Sequence, residues 1–324
     1  MTIKRVAAID CGTNSIRLLI TDLSAVPGEQ PQADVLREMR IVRLGEGVDR
    51  TGRLSEAALD RTMTALREYA GLIADAKPEA VRMVATSASR DAANAQEFTD
   101  RVTEILGVAP EVITGDEEAM LSFTGATREL AGTELAAACQ PPYLVTDIGG
   151  GSTEFVLGGT NPPGKGAPGQ VLGRSVDIGC VRLTERHLHN DPPAAAEIEA
   201  TVKDIDAALD QVAAAVPVAQ ARTLVGLAGS VTTIAAIALG LPGYDSNRIH
   251  HARLSAERVH EIADDLLGMT HARRAEIPVM HPGRVDVIGG GALILDRIMT
   301  RFGFTEVLVS EHDILDGIAW SLQR

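Results

Sequence analysis

Aromatic side chains are scarce in this chain. One Trp, three Tyr and five Phe make up 3% of its 324 residues, so a core has to be filled chiefly by Ala, Val, Leu and Ile. Cysteine is equally sparse. Cys11, Cys139 and Cys180 are odd in number and share no CxxC or Cys/His spacing, which argues against a disulfide framework and a structural zinc. Cys11 falls inside a turn with no basic residue or His close by in sequence to lower its pKa, so it reads as a small packing residue, not a nucleophile. No apolar stretch reaches the roughly 18 residues that cross a membrane. The N-terminus enters a strand almost at once, without room for a signal peptide, and a cytoplasmic protein with no membrane partner is expected. Positive charge is in deficit: 30 Lys and Arg against 44 Asp and Glu give a net charge of −14 at pH 7. That balance argues against broad electrostatic binding of nucleic acid. Also missing are a Walker A sequence, a dinucleotide fingerprint with its spaced acid, and a His-x-x-x-His pair.

Against these absences stand two glycine-rich turns of one design. Asp10-Cys11-Gly12-Thr13-Asn14-Ser15 follows the apolar run Val6–Ile9, and Asp147-Ile148-Gly149-Gly150-Gly151-Ser152-Thr153-Glu154 follows Tyr143–Val145. Each reads as a buried strand ending in an aspartate, a tight turn, then a second apolar run. Glycine lets a backbone approach an oxyanion closely, and successive N–H groups with Ser or Thr hydroxyls form a concave anion nest. An aspartate beside such a nest, Asp10 or Asp147, can hold a divalent cation that neutralises bound phosphate. Two nests in two halves suggest a phosphate chain clamped between related domains. A local site of this kind reconciles an acidic chain with a polyanionic ligand.

Strands mixed with helices favour an α/β protein with a largely covered sheet in each half. In the first half, Val35–Leu44 continues the opening strands, and Ser55 is a plausible N-cap for a helix carrying Leu59, Met63, Leu66 and Ile73 on one face. Val81–Ala85 is a buried strand followed by the polar turn Thr86-Ser87-Ala88-Ser89-Arg90, and helices are expected over Ala93–Leu106 and from Asp116. The second half repeats the opening, interrupted by a Gly/Pro-rich loop over Gly158–Gly169 that reads as a hairpin excursion. Strands follow at Val171–Asp177, Arg222–Ala228 and Glu306–Val309, and Asp313–Leu322 is a closing helix. Residues 1–128 and 129–324 are the expected domains, with an Ala-rich helix at the hinge and the closing helix free to return to the first domain.

Gly115-Asp116-Glu117-Glu118-Ala119 puts adjacent glutamates at a helix start. The positive end of the helix dipole accounts for acids there, and for one of the two that is sufficient. The other, facing a site, could orient and deprotonate a water. Arg90 could fork onto a phosphate or be a solvated surface arginine, and Arg17 and Arg182 carry the same two readings. Glu154 could complete a metal site with Asp147 or be an outward strand residue opposite Phe155. The third small-residue turn, Gly226–Thr233, is a base platform, a phosphate contact or a strand-to-helix connection with Ser230 as N-cap.

In order and spacing these segments resemble the exopolyphosphatase/guanosine pentaphosphate phosphohydrolase family. The Asp10 and Asp147 turns are similar to its two phosphate loops, Thr86–Arg90 to its arginine-bearing segment, and Gly115–Ala119 to its catalytic-glutamate motif. Gly179-Cys180-Val181-Arg182-Leu183 and Gly226–Ser230 also match, and the resemblance spans nearly the whole chain. It implies two ribonuclease-H-like domains of the sugar-kinase/Hsp70/actin type around a central cleft. It further implies Glu118 as the catalytic base, Arg90 as the phosphate-binding arginine, and Asp147 and Glu154 as acids handling Mg²⁺ (or another divalent cation) and water. Thr13, Asn14, Ser15, Gly149, Gly150, Gly151 and Ser152 match phosphate-loop positions. The expected activity is release of terminal orthophosphate from inorganic polyphosphate or guanosine pentaphosphate. The chain stops at Arg324, without the extra C-terminal domains of longer members, so short chains are the expected substrates; a homodimer is left open. An actin-fold small-molecule kinase and a sensor that binds without cleaving are the alternatives, separated by phosphate release.

Overall fold

A computed structural model describes residues 3–24, 33–128, 130, 139–159 and 171–323. The chain divides into two units, Met1–Gly125 with Ile314–Arg324, and Ala126–Asp313. Most of the Gly/Pro-rich loop and of the Ala-rich stretch before Pro141 lies outside the described residues.

The first unit is built on period-two alternation. Strands β1 (Ile3–Cys11) and β2 (Ser15–Ser24) form an antiparallel hairpin in which Ala7 faces Ile20, Ile9 faces Leu18 and Asp10 faces Arg17. With β3 (Ala33–Ile41), β4 (Ala80–Ala85) and β5 (Glu111–Val112) they make one sheet in the order β3-β2-β1-β4-β5, with β4 parallel to β1. Successive side chains alternate between faces. Ala7, Ile9, Cys11, Leu18 and Ile20 therefore pack under α1 (Glu56–Ala76), which the Ser55 hydroxyl caps by accepting from the Ala58 N–H at 3.2 Å. Alternate residues Val6, Ala8 and Leu19 point the other way. They are covered by Ile314, Leu315, Ile318 and Trp320 of the chain-closing helix. Between β4 and that helix come α2 (Ser87–Arg90), α3 (Ala95–Leu106) and α4 (Gly115–Thr127). The segment read as a polar turn, Thr86–Arg90, thus ends in one turn of helix.

The second unit repeats the plan. Strands β6 (Tyr143–Ile148), β7 (Thr153–Gly158), β8 (Leu172–Val176), β9 (Thr223–Leu227), β10 (Arg253–Ser255) and β11 (Glu306–Val309) are ordered β10-β11-β9-β6-β7-β8. Counted from the opening hairpin and leaving the edge strand β10 out of the count, both sheets run third, second, first, fourth, fifth, the ribonuclease-H-like order. Helices α5 (Cys180–His187), α6 (Ala195–Ala215), α7 (Ala228–Ala238), α8 (Ala256–Gly268) and α9 (Ile288–Phe302) follow, and α10 (Ile314–Ser321) is the closing helix of the first unit. Leu144, Ile148, Phe155, Leu157 and Val176 form the buried sheet face of this unit's core. The three-residue β10 escaped the sequence pattern because only Leu254 in it is buried. Ser230 is not the N-cap of α7. That helix begins at Ala228, and Ser230 sits buried in its first turn.

Candidate active site

The two turns have the same hydrogen bonds. Gly12 N donates to Ser15 O at 2.9 Å, and Gly149 N to Ser152 O at 3.0 Å. In each unit the segment after the third strand then pins the turn's carbonyls. Val42 and Arg43 donate to Asn14 O, and Gly45 to Thr13 O; Cys180 donates to Gly149 O, and Val181 and Arg182 to Gly150 O, all within 2.9–3.1 Å. The Arg182 side chain adds Nε to Gly151 O at 2.6 Å and so braces the second loop. In a trans peptide the N–H lies opposite the C=O. With their carbonyls held from one side, the Asn14, Ser15, Gly150, Gly151 and Ser152 N–H groups are aimed the other way, as an anion nest requires.

These braces need close backbone approach. A Cβ on Gly179 would lie 2.4 Å from Gly150 O and 2.6 Å from Gly151 N, and one on Gly45 would lie 2.4 Å from the Thr13 methyl. Ser87 supports the first loop from β4's end, its Oγ 2.8 Å from Thr13 Oγ1. Sequence reading passed over Gly45, Ser87 and the role of Gly179, whose only signal was recurrence after each third strand. Inside the loop the buried Asn14 Oδ1 meets no hydrogen-bond partner among the described residues. Cys11 is fully buried, and burial, then the Asp10 charge, pushes its thiol pKa far up, so the reading as a packing residue stands on a physical cause.

The adjacent glutamates have different fates. Glu117 closes a capping box with Thr114: its Oε2 accepts from the Thr114 N–H and hydroxyl, both at 2.9 Å, and its own N–H donates to Thr114 Oγ1 at 3.2 Å. The backbone N–H of Thr114, with its hydroxyl, holds the exposed Glu117 carboxyl below the usual range. Glu118 is buried, and its Oε2 accepts from Arg90 Nη1 at 3.2 Å. Arg90 Nη1 also donates to Ile113 O at 3.0 Å, so this arginine is anchored and not solvated at random. The guanidinium has five N–H donors, and holding Glu118 and Ile113 through one nitrogen leaves its fork able to meet a phosphate oxygen.

The position seven residues after each aspartate differs between the repeats. In the first unit Arg17 faces Asp10, and its Nε and Nη2 both reach Asp10 Oδ2, at 3.0 and 2.7 Å. In the second, Glu154 faces Asp147, with 1% and 7% of their surfaces exposed. Directly opposed strand residues share a sheet face, and two like charges there repel. Glu154 is therefore not an outward residue. Such a pair of hard oxygen donors fits Mg²⁺, which takes one or two carboxylates and fills its remaining positions with water and phosphate. Asp10 already faces a resident cation, Arg17. Among the described residues no three His, Cys, Asp or Glu side chains gather as a metal cluster; Asp147 and Glu154 together offer two such donors.

Residues 25–323 match the Ppx/GppA phosphatase family. This chain belongs to that family. It is 48% identical over 331 residues to a protein of Mycobacterium tuberculosis named Exopolyphosphatase 2, covering 99% of both. Among solved structures, an exopolyphosphatase-like protein superimposes with a TM-score of 0.92 at 43% identity over 99% of this chain and 98% of that one. A Ppx/GppA family member of Aquifex aeolicus gives 0.76 at 30% identity, over 99% and 98%. The likeness runs the length of the chain, so both loops, the Arg90–Glu118 pair and the Asp147–Glu154 pair sit within the frame of a Ppx/GppA phosphatase.

Proposed function

We propose that this protein is an exopolyphosphatase that releases terminal orthophosphate from inorganic polyphosphate, with short chains preferred and guanosine pentaphosphate accepted. Membership of a phosphatase family and the likeness to a protein named Exopolyphosphatase 2 support the reaction class. One observation carries the assignment of roles: of two neighbouring glutamates, Glu117 is consumed as a helix cap while Glu118 is buried beside Arg90.

Glu118 takes a proton from water as the water oxygen attacks the terminal phosphorus. The phosphoanhydride P–O bond breaks, one orthophosphate departs, and the shortened chain keeps the bridging oxygen. Arg90 and the loop N–H groups of Asn14, Ser15, Gly150, Gly151 and Ser152 bind phosphate oxygens, with Thr13 and Gly149 shaping the two loops. Bound at Asp147 and Glu154, Mg²⁺ or another divalent cation would offset charge on those oxygens. Phosphoryl transfer asks mainly for positioning and electrostatic stabilisation, which this set supplies without a protein nucleophile.

The test compares phosphate release from short polyphosphate, long polyphosphate, guanosine pentaphosphate and ATP, with and without Mg²⁺. Mg²⁺-dependent release, fastest from short polyphosphate, is expected. Glu118→Gln should fold normally and lose about 10²- to 10⁴-fold in kcat. Binding of polyphosphate by wild type without any release would leave a sensor instead.

A further inference from the structure

Glu154 lies on the middle strand of three. The register puts Asp147 of β6, Glu154 of β7 and Ser175 of β8 in a single row across the sheet. The Ser175 hydroxyl donates to Glu154 Oε1 at 2.7 Å. A hydroxyl bonded to an ionised carboxylate makes one of the stronger side-chain hydrogen bonds. The first unit supplies an internal comparison, because the same row there reads Asp10, Arg17 and Met39. Its middle residue is a guanidinium whose orientation is fixed by Asp10 itself through two N–H groups. A thioether suffices on the third strand. Where the middle residue is a carboxylate facing another carboxylate, mutual repulsion would turn it away, and the third strand carries a hydroxyl.

We propose that Ser175 is a positioning residue for Glu154. By engaging Oε1 it fixes the rotamer and plane of a carboxylate that is 1% exposed and has a like charge opposite it. The paired acids are thereby kept together for a divalent cation. The proposal rests on the reading of Asp147 and Glu154 as the cation-holding pair. Partners that orient metal-binding carboxylates typically contribute about 10- to 100-fold in affinity or activity.

The full-length protein is titrated with Mn²⁺ in the absence of substrate, free Mn²⁺ being read by electron paramagnetic resonance. Kinetics on short polyphosphate are measured in parallel. Ser175→Ala is expected to weaken Mn²⁺ binding about 10- to 100-fold. Its kcat at limiting Mn²⁺ should fall in step and recover with excess cation, while KM for polyphosphate stays put. Ser175→Thr, which keeps the hydroxyl on a β-branched side chain suited to a strand, should restore both. If Ser175→Ala does not fold, Ser175→Cys keeps the size with only a weak donor and should show the same loss. Wild-type Mn²⁺ affinity in a folded Ser175→Ala or Ser175→Cys, alongside its loss in Glu154→Gln, overturns the role of Ser175 alone. Wild-type affinity in Glu154→Gln overturns the cation reading, and the proposal falls with it.

Discussion

Two adjacent glutamates on one helix start show how context divides identical chemistry. Both gain from the positive end of the helix dipole. Thr114, three residues before Glu117, supplies the partners of a capping box and leaves Glu118 to turn inward to Arg90. Because Thr114 holds the folded Glu117 carboxyl below its ordinary value of 4.5, the ionised form stabilises the fold. That contribution is complete above the ordinary value and is lost as pH falls through the folded one. Glu117→Ala should therefore melt below wild type at pH 7, and the gap should close on acidification. Its kcat should stay near that of wild type, unlike that of Glu118→Gln. Thermal melts across pH with parallel phosphate-release assays decide the matter; a Glu117→Ala enzyme as inactive as Glu118→Gln would exchange the assigned roles.

At the scale of elements, the loops depend on segments that pass behind them. Gly179 has φ −152°, an extended conformation open to any residue, so it is glycine for want of space and not for backbone freedom. Its added Cβ would meet backbone atoms of Gly150 and Gly151, which cannot swing aside as a side chain could. Gly179→Ala should cost about 1–3 kcal/mol in stability. It should also lower kcat/KM for polyphosphate by about tenfold or more by shifting the nest. Gly71→Ala is the control: nothing lies within 4 Å of the new Cβ, on an exposed helical position. That variant should gain about 0.5–1 kcal/mol with unchanged kinetics. Equal kinetic loss in both variants would sink the bracing role.

The same elements show what could be read without coordinates. The paired turns, the alternation of β1 and β2, the Ser55 cap and the acids at the start of α4 are local patterns, and each stood out. Three things did not. The residues alone did not separate Glu117 from Glu118; the resemblance named Glu118, and the physical reason came only with the completed Thr114 cap. The braces from Gly45 and Gly179, and the donation from Ser175 to Glu154, join residues about 20–30 positions apart. Such contacts are set by strand register, which a one-residue slip would reverse. Alternation marked Phe155 as buried and so suggested that Glu154 faced out; with both faces of β7 covered, that inference fails.

The whole molecule carries a net charge of −14, yet the proposed substrate is a polyanion. Part of the acidity is neutralised in place. Arg17 meets Asp10, Arg90 meets Glu118, and Asp316 on the closing helix takes two N–H groups from Arg37, tying the end of the chain to the first unit. The remaining charge acts at long range and opposes the approach of polyphosphate. In the proposed site, loop N–H groups, Arg90 and a divalent cation would act at contact, partly buried, where salt screens little. Raising ionic strength from 0.01 to 0.15 M shortens the Debye length from about 30 to about 8 Å and should weaken the repulsion more than the attraction. With free Mg²⁺ held constant, kcat/KM for short polyphosphate is thus expected to rise over that range. A polyanion binder that relied on a basic surface would show the reverse, since screening removes its long-range attraction. A steep fall of kcat/KM with added KCl would mean that capture of substrate draws on an extended positive field, and the local site described above would not be its source.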